Sequence, residues 1–126
     1  MKKILSILLL TLIVGIGHTT VRSSCSLPKD KPIKALILSG SNNHDWKNTT
    51  LFLSGIFSEL SLFSVETTEK PDTIKSSDLA NFDVVVSNWN SWPENDLRWS
   101  GTTEKALLNF IKKGGGFVTF HSSTSA

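Results

Sequence analysis

The sequence predicts an α/β fold, a parallel sheet with helices on both faces, from three observations. Apolar strand-like runs recur at Ile33–Ser39, Leu62–Thr68, Phe82–Ser87 and Gly115–His121. Two of them, "IKALILS" and "FDVVVS", are nearly continuous rather than alternating, as strands buried on both faces are. Helix-periodic segments separate the first run from the second and the third from the fourth. The right-handed crossover preference then places helices on both sides of the sheet.

Each element has its own warrant. Ile33–Ser39 is the first strand. In "NTTLFLSGIFSEL", Leu53, Ile56, Phe57 and Leu60 fall at helical spacing, and Asn48 or Thr49 can cap the start. Gly55 weakens that helix slightly. In Leu62–Thr68, Phe63 and Val65 alternate with polar neighbours, which reads as a second strand. A polar connector with Pro71 follows. Phe82–Ser87 is β-branched and the strongest strand of the chain. After the Trp-rich loop "NWNSWPENDLRWSG", Thr103–Lys113 shows Ala106, Leu107, Phe110 and Ile111 on one helical face. Lys112 and Lys113 suit its negative end, and Gly114 suits its cap. The glycines of "KKGGGF" precede a strand rather than open a helix, so they read as a helix end and tight turn, not as a phosphate loop. Gly115–His121 is the fourth strand.

The first 32 residues have a different character. Met1, Lys2 and Lys3 precede the apolar run "ILSILLLTLIVGIG", which is shorter than the roughly 20 apolar residues of a membrane span. This is the pattern of a secretory signal peptide over residues 1–23, with Val21 and Ser23 before the cut. An uncleaved N-terminal anchor is the alternative. Residues 24–32 read as a polar linker with two prolines, and residues 33–126 as the domain. Cys25 is the single cysteine. It offers a weak lipobox, since Arg22 stands where an aliphatic residue is expected, and one lipid chain gives only weak membrane attachment. A lone cysteine allows no internal disulfide and no cysteine metal cluster. The formal net charge is +2, with Lys2, Lys3 and Arg22 in the leader and no block of like charge elsewhere, which argues against nucleic acid binding.

In a parallel α/β sheet, ligands bind beyond the carboxyl ends of the strands. Three polar-aromatic clusters fall there: "NNHDW" after the first strand, "NWNSW" after the third, and His121 closing the fourth. His44, Asp45 and His121 are the candidate catalytic residues. Two imidazoles and a carboxylate could hold a divalent metal such as Zn²⁺ with an open position for water. They could equally act as general acid and base on a sugar hydroxyl or glycosidic oxygen. The plainer alternative is that His44 and Asp45 order the loop and cap the next helix. Asn43, Trp46, Asn88 and Trp89 are the candidate substrate-binding residues, because amides beside indoles suit the hydroxyl edges and C–H faces of a sugar. Trp99 reads as packing, and Asn88 could simply satisfy loop backbone groups.

In order, "ALILSGSNNHDWKNTT", "FDVVVSNWNSWPE" and "ALLNFIKKGGGFVTFHSS" resemble the ThuA-like (trehalose utilisation) family over roughly residues 33–124. That resemblance implies a flavodoxin-like fold of the class I glutamine amidotransferase type. It also implies a carbohydrate-linked role, with a carbohydrate as the expected small-molecule partner and export to the periplasm or exterior. In the amidotransferase relatives, a nucleophilic cysteine follows the strand that matches "FVTF". The matching position here is His121, so cysteine-dependent glutaminase chemistry is not expected. The family domain continues with further helices and strands, so the chain is expected to be the N-terminal portion of such a domain, incomplete at its C-terminus. Three outcomes stay open: a carbohydrate-acting enzyme such as a hydrolase, a non-catalytic carbohydrate-binding module, and a fragment without function. The sequence leaves the metal, the sugar and the oligomeric state open.

Overall fold

The structure, a computed structural model, describes residues 31–92 and 98–125. The expected signal peptide, most of the linker and Cys25 lie outside these residues. Four parallel strands form one sheet in the order β2-β1-β3-β4: β1 (Ile33–Leu38), β2 (Phe63–Thr68), β3 (Val84–Ser87) and β4 (Gly116–Thr119). Ala35 pairs with Val65 on one side and Val84 on the other, and Val85 pairs with Phe117. This is the parallel α/β sheet that the strand and helix pattern predicts, in the flavodoxin-like arrangement that the family resemblance implies.

The two sheet faces carry separate apolar layers. Ile37 and Val86 pack with Leu53 of α1 (Trp46–Glu59) on one face. On the other, Leu36, Leu38 and Val85 pack with Ala106 and Leu107 of α3 (Gly101–Lys112) and Leu79 of α2 (Ser76–Leu79). A fully buried side chain of this size contributes ~1.5–3 kcal/mol. The strand order explains the sidedness. The chain steps from β1 outward to β2 and, in the other direction, from β3 to β4. Right-handed crossovers in opposite directions put α1 and α3 on opposite faces. The strand order reverses between β1 and β3, and it is beyond the carboxyl ends of such a pair that parallel α/β sheets bind ligands.

Three local features depart from the sequence expectation. The connector after β2 is not irregular: it holds a 3₁₀ turn, Pro71–Thr73, and the short α2. Four residues are too few to show a helical period. Helix α1 starts earlier than Asn48, because Asp45 is its cap. Helix α3 starts at Gly101, capped by Ser100, whose hydroxyl accepts from the Thr103 amide at 3.2 Å. Thr103, fully buried, donates to the carbonyls of Asp72 and Ile74 and so ties α3 to the β2–β3 connection. No helix among the described residues is long and apolar enough to cross a membrane.

Gly40 marks the turn out of β1. Its φ is +104°, and a Cβ there would sit 2.3 Å from the Glu69 carbonyl oxygen. Only glycine meets both conditions. After the turn the chain runs beside the segment that follows β3, where the Asn90 N–H donates to the Ser41 carbonyl and Asn42 Nδ2 to the Asn88 carbonyl.

Candidate functional site

The loops after β1, β3 and β4 converge. The imidazoles of His44 and His121 stack with ring centroids 4.7 Å apart and planes inclined by 24°. Both residues are exposed. They come from positions 77 apart in sequence, so the pairing is a product of the fold. His121 follows β4 directly and holds φ = +48°, the one non-glycine residue with positive φ among those described. Such a conformation costs of order 1–3 kcal/mol and persists only where the surroundings impose it. It turns the chain sharply into the 3₁₀ segment His121–Ser125 and sets the imidazole at the strand end.

Asp45 is beside His44 in sequence but does a different job. Its Oδ1 accepts from the Asn48 backbone N–H at 3.2 Å, and its Oδ2 accepts from Asn48 Nδ2 at 2.5 Å. Its backbone carbonyl accepts from the Thr49 hydroxyl at 2.8 Å. The carboxylate is committed to the start of α1, where it satisfies an otherwise unpaired helix N–H. Among the described residues, no group of three His, Cys, Asp or Glu side chains could hold a metal ion. Among the described residues, His44, Asp45 and His121 are therefore not grouped as the metal set that the sequence left possible. Two imidazoles alone do not make the three-ligand protein set of a catalytic zinc site.

Asn88 and Trp89, read from the sequence as sugar contacts, are largely buried. Asn88 is 2% exposed. Its Nδ2 donates to Thr50 Oγ1 at 3.0 Å and to the Trp46 carbonyl at 3.4 Å. Thr50 Oγ1 in turn bonds Ser39 Oγ at 2.6 Å. Asn88 thus joins the ends of β1 and β3 to the first turn of α1. Trp89 belongs to the apolar layer under α3, where its ring lies 5.0 Å from that of Trp99. The turn after β3 points this indole inward, because the large apolar side chain gains more from burial than from a place on the rim. Trp46 is half-buried, with Lys47 Nζ 5.4 Å from its ring centroid. Asn43 is exposed beside His44, and its Oδ1 accepts from Asn90 Nδ2 at 3.0 Å.

Two further asparagines, not singled out as site residues from sequence, connect the three loops. Asn90, 1% exposed, also donates to the Ser122 carbonyl, and its Oδ1 accepts from the Trp92 N–H at 3.1 Å. Asn42 reaches Asn88, His44 and Ser122. The signal available in sequence was the repetition of asparagine in "SNNHD" and "NWN". Nothing in spacing says which amide faces inward.

A groove of about 910 Å³ runs along α3 and β4 past Trp89, Trp99, Leu107 and Phe117 to Ser123 and Thr124. Neither histidine lines it. Trp99 Nε1 and Ser123 Oγ are buried there without a hydrogen-bond partner among the described residues.

The family model for trehalose utilisation, ThuA, matches residues 34–126. A solved structure of a ThuA-like protein from Parabacteroides merdae ATCC 43184 is similar, with 29% sequence identity and a TM-score of 0.65 over 76% of this chain. A ThuA-like protein from Bacteroides uniformis ATCC 8492 shares the fold, with 18% identity and a TM-score of 0.56 over 79% of the chain. The match covers only 34% of the first protein and 40% of the second. No curated protein matches the chain. With a family match across more than half its length, and the parallel sheet to accompany it, the chain belongs to the ThuA, trehalose utilisation, family.

Proposed function

We propose that the chain contributes the His44–His121 face of a carbohydrate site at the carboxyl edge of the sheet. One observation carries the reading: two exposed imidazoles from separate loops stack at the strand ends, one of them held at positive φ. Imidazoles donate and accept hydrogen bonds to hydroxyl groups. Asn43 beside them adds an exposed amide, and Trp46 a half-buried indole. A donor–acceptor cluster with a flat apolar neighbour suits a sugar. In an acting enzyme, one imidazole of the pair would exchange a proton with a glycosidic oxygen or hydroxyl while the other supports it.

A binding module without catalysis is the second reading, and the position of Asp45 favours it. With both Asp45 carboxylate oxygens on Asn48, no carboxylate among the described residues hydrogen-bonds either imidazole. General acid–base catalysis by histidine commonly depends on such a partner. Cysteine-dependent glutaminase chemistry does not enter, because the chain's single cysteine is Cys25.

Calorimetric titration with trehalose tests the site. The expected result is saturable binding that weakens about tenfold or more in His44→Ala or His121→Ala, the scale of one lost hydrogen bond of ~1.4 kcal/mol. Unchanged affinity in both variants would remove the histidines from the site. Release of glucose from bound trehalose would decide for the enzyme and against the binding module. Export through residues 1–23 belongs to the same proposal. Mass spectrometry of the native product should find the chain beginning at Ser24, or a lipid-modified Cys25 if the lipobox is used. An intact Met1 would contradict export by cleavage.

A further inference from the structure

We infer that Asn42 is a positioning residue: its carboxamide holds the loops of His44 and His121 in register, so that the two imidazoles meet. Its Oδ1 accepts from two donors on different loops, the His44 backbone N–H at 3.0 Å and Ser122 Oγ at 2.9 Å. One oxygen therefore binds the residue that carries the first imidazole and the neighbour of the residue that carries the second. Its Nδ2 donates to the Asn88 carbonyl at 3.2 Å and toward Asn88 Oδ1 at 3.4 Å. The two lone pairs and two N–H groups of the amide are all engaged.

The orientation of this amide is fixed by its surroundings. Turned over, it would set its oxygen against the two Asn88 oxygens and its N–H groups against the His44 N–H. Asn88 is itself oriented, because its Nδ2 donates to Thr50 Oγ1 and the Trp46 carbonyl and so leaves Oδ1 facing Asn42. The chain of support runs from the buried Ser39–Thr50 pair through Asn88 to Asn42, and from Asn42 to both histidine loops. Asn90 makes a second, parallel tie through Asn43 and the Ser122 carbonyl. It hydrogen-bonds neither the His44 N–H nor the Ser122 hydroxyl, so it does not duplicate the Asn42 link.

The inference concerns the geometry of the pair. Its functional weight rests on the proposed carbohydrate site, but its test does not. In solution, NMR shifts of the His44 ring protons report the presence of the stacked ring of His121. Removing that ring with His121→Ala gives the size of the pair signal. In an Asn42→Ala background, the His121→Ala change is expected to leave the His44 ring shifts unmoved, because the pair is already parted. Ser122→Ala, which removes only one of the two bonds to Oδ1, should reduce the pair signal partly and serves if Asn42→Ala fails to fold. Amide shifts of Ala35–Leu38 and Val85–Val86 should stay in place in either variant, which separates lost positioning from lost fold. A pair signal of full wild-type size in the folded Asn42→Ala protein, or in Ser122→Ala where that variant stands in, would overturn the inference. Sugar binding can fail in the wild type while this result holds, so the two proposals are told apart.

Discussion

Replacing Asp45 by Ala should cost about 1 kcal/mol of stability, the usual worth of a helix N-cap, and should leave the His44–His121 contact in place. Urea unfolding of the variant checks the first part. A loss of sugar binding without a loss of stability would contradict the structural role given to this carboxylate. Trp89→Ala should be far more damaging, about 3–5 kcal/mol, because it opens a cavity in the layer beneath α3. The residue types in "NNHDW" and "NWN" were legible in the sequence as chemistry at a strand end. Their division of labour was not. His44 and Asp45 are adjacent, yet one side chain meets another loop and the other turns back to its own helix. Asn88 and Trp89 follow β3 directly, whereas Asn42 and Asn43 follow β1 after the Gly40 turn. A turn of backbone decides which of them enters the interior, and residue type alone does not encode that turn.

The strands were legible because burial on both faces leaves little choice but β-branched and aliphatic residues in β1 and β3. The short α2 was hidden because a single turn has no period, and its one buried side chain, Leu79, looks like any loop leucine. At this scale the elements should differ in exchange protection. Amides of β1 and β3, inside the sheet, should exchange slowest, and those of β4 at the edge faster. Hydrogen-exchange NMR reads this directly, and a β4 as protected as β3 would contradict the strand order. Gly40→Ala should destabilise the protein by more than 1 kcal/mol. It imposes a side chain on a left-handed backbone and drives it against the Glu69 carbonyl. Thermal unfolding of that variant checks the claim, and an unchanged midpoint would mean that the turn after β1 is freely adjustable.

The described residues make a sheet with β2 at one edge and β4 at the other. Beside β4, Val118 is 51% exposed, and Leu108, Ile111, Phe117 and Phe120 are exposed with it. An open edge strand with apolar faces pairs readily with other chains. A polypeptide of residues 31–126 alone should therefore self-associate as its concentration rises, and Val118→Lys should reduce this in analytical ultracentrifugation. A strictly monomeric polypeptide of that length at high concentration would contradict the exposure of that edge. The family was legible because its residues lie at the strand ends, in the segments that the sheet places together. The carbohydrate proposal depends on those same segments acting as one surface. Backbone NMR during a trehalose titration tests that most directly. The account predicts shifts confined to residues 42–46, 88–92 and 121–124. Saturable shifts elsewhere, or none at any trehalose concentration, would contradict it.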